Sequence, residues 1–129
     1  MKIDNTIEKN MTVFPNIVEP SASLHTVARL LQRYDIRHLP VVENGRCIGL
    51  VHDKEILTVL KVTGLNAENE PIHTYMNKVF LTVPPEAVTR SVIEEMLKKK
   101  EDCAIILKDT KVMGIFTFFD AVKLLVHPS

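Results

Sequence analysis

A hydroxyl and a carboxylate three positions apart are the residues best placed to do chemistry in this chain. They lie in the run Gly114-Ile115-Phe116-Thr117-Phe118-Phe119-Asp120. The apolar run before Thr117 has strand length, and a helical pattern starts after it, so both groups stand at a strand-to-helix junction. Thr-x-x-Asp is also a capping box, in which the hydroxyl and the acid at the third helical position satisfy the first helix N–H groups. The sequence leaves both roles open. The parallel run Gly49-Leu50-Val51-His52-Asp53-Lys54-Glu55 carries His52 and Glu55 at the corresponding places. Arg37 and His38 stand just before an apolar run.

Enzyme signatures are missing. His25, His38, His52, His73 and His127 form no HExxH and no Cys/His cluster along the chain, so no metal site is expected. There is no GxSxG, P-loop or GxGxxG. Asp53 and Glu55 suit the positive end of a helix dipole better than an acid/base pair. The chain reads as a non-enzyme with no cofactor.

The elements that position these groups occur twice. Gly49 and Gly114 are separated by 114 − 49 = 65 positions. The same ungapped offset pairs Met11 with Met76, Val18 with Val83, Pro20 with Pro85, Ala22 with Ala87, Val27 with Val92 and Leu60 with Leu125. One unit has been duplicated, and the expected division is residues 1–66, with the N-terminal segment, and 67–129. In the first repeat an extended segment, Ile17 to Pro20, precedes a helix that Ser23 can cap. Leu24, Val27, Ala28, Leu31 and Tyr34 follow at helical spacing. Leu39 to Val42 and Cys47 to Val51 have strand length, and Asn44-Gly45 between them signals a two-residue hairpin turn. A second helix runs from Lys54 to about Val62, and Gly64 and Asn66 to Pro71 form a loop. The second repeat follows the same order. It has extended Val79 to Val83, then a helix with Val88, Val92, Ile93, Met96 and Leu97 as its buried stripe. Lys98 to Lys100 suit the end of that helix. Strands Ala104 to Leu107 and Val112 to Phe116 turn at Asp109-Thr110, and a last helix runs from about Phe118 to Val126. A β-α-β-β-α unit of this size cannot bury its sheet face alone, so two copies are expected to pack sheet to sheet about a pseudo-twofold axis.

Composition narrows the partners. The 129 residues are 46% hydrophobic and 25% charged, with a formal net charge of zero. Such a chain has no global field to attract nucleic acid or an acidic membrane. No apolar run approaches the ~20 residues that span a bilayer, and Met1 to Asn10 is polar and mixed in charge, unlike a signal peptide. A soluble, cytoplasmic protein is expected. Cys47 and Cys103 lie in apolar runs and read as buried, reduced thiols.

The run Gly114 to Asp120, its counterpart Gly49 to Glu55, and the segment Ile36 to Arg46 together resemble the signature of cystathionine-β-synthase (CBS) domains. With the duplication, the resemblance covers nearly the whole chain. It implies a tandem CBS pair, a homodimer, and a regulatory module that senses an adenine nucleotide (AMP, ADP or ATP) in a cleft between the repeats. A separate effector protein would read the change. It also implies site residues: Thr117 and Asp120 for phosphate and ribose, with Gly114, Ile36, Arg37, His38 and Pro40. The physics fits, because a carboxylate can accept two hydrogen bonds from a cis-diol and a helix N-terminus favours phosphate. A second set is Gly49, His52, Glu55 and Ala104. Here His52 replaces the hydroxyl and Glu55 the shorter acid, so at most one well-formed site per chain is expected. Which cleft Arg37 and His38 face stays open. The rival readings are a dimerisation or interaction module with degenerate clefts, and a sensor of S-adenosylmethionine.

Overall fold

The computed structural model describes residues 1–13 and 16–129. In chain order the elements are α1 (Ile7–Asn10), β1 (Thr12–Val13), α2 (Leu24–Arg33), β2 (His38–Glu43), β3 (Arg46–His52), α3 (Asp53–Thr63), β4 (Thr82–Val83), α4 (Thr89–Lys99), β5 (Cys103–Lys108), β6 (Lys111–Thr117) and α5 (Phe118–Val126). Short 3-10 turns lie at Lys2–Asp4, Gly64–Ala67 and Ile72–Thr74. The mixed α/β class and the repeated β-α-β-β-α order are as the sequence implies.

Packing forms two compact units, residues 16–79 and residues 1–13 with 80–129. The sequence division at 66/67 therefore does not coincide with the packing division. Each repeat's leading segment folds into the unit that holds the other repeat's hairpin.

In the unit 16–79, Ser23 Oγ accepts from the Thr26 N–H at 3.1 Å and starts α2, a cap worth about 0.5–2 kcal/mol. Leu24, Val27 and Leu31 on α2 are buried. The β2–β3 hairpin turns at Asn44 and Gly45, whose φ angles of 51° and 77° are those a type I′ turn requires. Glu43 and Arg46, of opposite charge, flank the turn as partners. Val18 adds to β2 through a parallel bridge to Val41, and Asn77 adds to β3 through an antiparallel bridge to Leu50. Leu39, Val41, Val51, Ile56 and Ile72 complete the core. Full burial of such a side chain contributes about 1.5–3 kcal/mol, and Ile72 is brought there by its N–H bond to Ala22 O at 2.7 Å.

The other unit repeats this arrangement 65 residues on. Its sheet order is β1-β6-β5-β4, with β4 parallel to β5. Cys103 pairs with Thr117 as His38 pairs with His52, and the bulge at Ile106/Leu107 matches the one at Val41/Val42. Ile7, Val92, Met96, Ala104, Ile106, Phe116 and Ala121 form its core. Ile7 N–H bonds Ala87 O at 2.7 Å, the counterpart of Ile72 and Ala22. In this unit the segment that packs on the hairpin comes from the front of the chain. In the first it follows α3. The two units are thus circular permutations of one another, and the 3.0 Å bond from Lys2 N to Pro128 O lies where the permuted ends meet.

Several expectations are corrected. Val88 and Leu97 do not belong to the buried stripe of α4, being 42% and 67% exposed. Val88 is the N-cap, one position before the helix, and Thr89 takes the inward place. Its Oγ1 donates to Asn5 O at 2.9 Å and accepts from Asn10 Nδ2 at 2.8 Å. Tyr34 ends α2 exposed. The expected loop after Gly64 starts with a 3-10 turn, because Ala67 is buried in the core. Of the second hairpin's two turn residues only Asp109 has positive φ, at 59°, so that turn differs from the first. Cys103 is buried but Cys47 only half so.

Candidate functional site

The β6–α5 junction places Thr117 and Asp120 together. Phe118 N–H bonds Asp102 O at 2.7 Å, just as Asp53 N–H bonds Arg37 O at 2.9 Å in the other unit. Each bond ties the start of a helix to the residue before the hairpin. Asp120 Oδ2 accepts from the Thr117 N–H at 2.9 Å, from Thr117 Oγ1 at 3.1 Å and from Thr12 Oγ1 at 3.4 Å. Thr117 Oγ1 in turn accepts from the Asp120 N–H at 3.2 Å. This is a closed capping box. Asp120 is buried, and its Oδ1 lies 3.8 Å from Lys123 Nζ. Oδ2 is therefore committed, and the carboxylate's remaining capacity lies on Oδ1 beside a cation.

Gly114 has a structural duty. A Cβ there would lie 2.6 Å from Met11 Sδ and 2.7 Å from Thr12 O, so the bare backbone admits the β1 segment. Gly49 does the same for Met76, whose Cγ would lie 2.8 Å from an added Cβ. Ala104 is fully buried in β5, opposite Phe116.

The remaining residues lie in the unit 16–79. Ile36 is half-buried, Arg37 exposed, and His38 and Pro40 buried on β2. Glu55 is exposed on α3, and its Oε1 accepts from Asn77 Nδ2 at 2.6 Å. Glu55 and Asp120 are equivalent, and so are their donors: 12 + 65 = 77. Thr12 and Asn77 were not singled out from sequence, although the pairing of their neighbours Met11 and Met76 pointed at them. His52 is the N-cap of α3, with its Nδ1 accepting from the Lys54 N–H at 3.1 Å, so the repeat-1 junction is capped by an imidazole. His38 and His52 pack edge to face, ring centroids 4.7 Å apart, a proximity that chain spacing hid. Phe118 and Phe119 point outward, 58% and 68% exposed, whereas Phe116 is core. A shallow hollow on α2, lined by Thr26, Arg29, Leu30, Gln32 and Arg33, includes none of the expected site residues.

Known proteins share the fold and its repeat. A model of the CBS domain matches residues 6–62 and 72–127. Inosine-5'-monophosphate dehydrogenase of Aquifex aeolicus (strain VF5) is 27% identical over 125 residues, covering 95% of this chain and 25% of that enzyme. The chain thus spans about a quarter of that relative's length. The CBS domain pair of protein MJ0100, solved with 5'-methylthioadenosine and S-adenosyl-L-methionine, has a TM-score of 0.86 at 20% identity, covering 97% of this chain and 98% of that one. CBSX2 in complex with AMP has a TM-score of 0.82 at 21% identity, covering 96% and 98%. These structures share the fold. With both halves matched by the family model, the chain belongs to the CBS domain family and carries two copies of the domain.

Proposed function

We propose that this chain is a regulatory module that binds an adenine nucleotide, AMP, ADP or ATP, and transmits its occupancy to a separate protein. One observation carries this: the β6–α5 junction holds a hydroxyl, a carboxylate and the start of a nine-residue helix together. That set suits a ribose and a phosphate. The ligands seen in CBSX2 (AMP) and in MJ0100 (two adenosyl compounds) support the class. A ligand hydroxyl can meet Asp120 through Oδ1, while Oδ2 holds the capping box. Ligand binding and the start of α5 share one carboxylate. No catalysis is proposed, and neither nucleic acid nor membrane is a proposed partner. Among the described residues no helix is long and apolar enough to cross a membrane. A cytoplasmic location, where adenine nucleotides are available, goes with this function. A homodimer is part of the proposal, supported by the exposed Phe118, Phe119, Val122, Leu125 and Val126 of α5.

A second reading is an interaction module with unused clefts. The closed cap on Asp120, the bond from Asn77 to Glu55 and the cap at His52 favour it. A thermal-shift panel of AMP, ADP, ATP, S-adenosylmethionine and GTP separates the two. A bound ligand at 100 times its Kd adds about 2.7 kcal/mol. A shift with adenine nucleotides but not GTP supports the first reading. A shift with S-adenosylmethionine alone changes the ligand, and a flat panel leaves the interaction module.

A further inference from the structure

The duplication makes α2 and α4 equivalent helices, yet their open sides carry different charge. Arg29 corresponds to Glu94, since 29 + 65 = 94, and Leu30 to Glu95, Gln32 to Leu97 and Arg33 to Lys98. Residues three and four apart share one helix face, so Thr26, Arg29, Leu30 and Arg33 line one side of α2. With Gln32 they form the shallow hollow on that helix. Arg29 and Arg33 are exposed, and Leu30 between them is half-buried. α2 contains no Asp or Glu, and among the described residues no ion pair neutralises either arginine.

α4 offers what this hollow lacks. Glu94 is exposed and, among the described residues, forms no ion pair, whereas Glu95 is held by Lys99 at 2.8 Å. Leu97 lies three positions on from Glu94, on the same side of α4, and is 67% exposed.

We propose that α4 of a second copy of this chain covers the hollow on α2, with Glu94 meeting Arg29 and Arg33 and Leu97 meeting Leu30. This rests on the homodimer reading and gives it a direction. The exposed apolar residues of α5 add buried area, but that attraction has no direction. Charge decides which helices face one another. Setting α2 on α2 brings arginines together with no acid on either helix. Setting α4 on α4 brings the two Glu94 carboxylates together. The unlike pair gives each charge its opposite, and the like pairs are rejected by repulsion. The contact takes one helix from each copy.

The test is sedimentation equilibrium of the full chain at low ionic strength, where surface charges are least screened. Wild type should form a dimer that weakens as salt is raised. Arg29→Glu and Glu94→Arg should each weaken self-association at least about tenfold. Mixed in equal amounts, the two variants present an acid on α2 to a base on α4, and association should return to near the wild-type level. Leu97→Ser should also weaken the dimer, while Lys111→Glu, at an exposed position of β6, should associate as wild type. Circular dichroism verifies the fold of each variant, and Arg33→Glu takes the place of Arg29→Glu if that one fails to fold. A wild type that stays monomeric overturns this contact and the homodimer together. A wild-type dimer indifferent to either reversal, or variants that associate no better mixed than apart, overturns this contact and leaves the homodimer standing.

Discussion

Met11 occupies the space that a side chain on Gly114 would need, 114 − 11 = 103 positions later in the chain. Met76 and Gly49 stand in the same relation. The glycines of the two family signatures are therefore docking points for the segment that leads each repeat. The two sites differ in what can yield. At Gly49 the obstruction is the Met76 side chain, whereas at Gly114 it includes the carbonyl oxygen of Thr12.

Gly114→Ala should consequently cost about 1–3 kcal/mol, the range for overpacking, and Gly49→Ala less. Denaturant midpoints measure both. Adding Met76→Ala to Gly49→Ala should recover part of the loss, as a double-mutant cycle would register. Equal costs at the two glycines would contradict the role given to the Thr12 carbonyl.

The packing units also predict which fragment holds structure. Residues 16–79 keep Ile72, Met76 and Asn77 with the β2–β3 hairpin, while residues 1–66 lose all three. A single repeat is marginal at this size, so the comparison is relative. Fragment 16–79 should show more amide-exchange protection in β2 and β3 than fragment 1–66. The reverse order would contradict the exchanged leading segments.

This exchange marks where the sequence stops being legible. The offset of 65 revealed the duplication, the order of elements, the Asn44-Gly45 turn and the Ser23 cap, because those depend on local propensity and periodicity. Apolar patterning marks Ile7 and Ile72 for burial without naming the hairpin that covers them. Partner choice is a long-range property: the boundary expected at 66/67 lies between the two family matches, 6–62 and 72–127, while the packing division lies elsewhere. Val88 was misread for a related reason: a helical stripe drawn one position too early includes the cap. At the site, Thr117 and Asp120 were visible as a motif. Their third partner, Thr12, and the facing pair His38 and His52 required the folded hairpins.

Burial gives Cys103 a defined pH signature. Desolvation, helped by the nearby charges of Asp102 and Glu101, pushes its thiol up to about 12 from 9.0. The folded state holds the proton more tightly than the unfolded chain. This contribution is fully present below pH 9 and is lost as pH rises toward 12. Stability should fall across that window by at most about 1.4 kcal/mol per pH unit from this group, and Cys103→Ala should flatten the slope. Alkylation at pH 8 should modify the half-buried Cys47 before Cys103, although burial also raises the Cys47 thiol. Rapid labelling of Cys103 in the folded protein would contradict its burial.

The coupling of Asp120 to nucleotide is tested most directly by paired measurements on wild type and Asp120→Ala: AMP and ATP affinity by calorimetry, and melting temperature. Loss of charged hydrogen bonds to a ribose should cost about 1.5–3 kcal/mol of affinity, or roughly tenfold to a hundredfold. Loss of the acid's half of the capping box should cost about 1 kcal/mol of stability, a shift of only a few degrees. The account predicts a large fall in affinity with a small fall in melting temperature. A variant that melts far lower yet binds nucleotide as tightly as wild type would show that Thr117 and Asp120 serve only to cap α5.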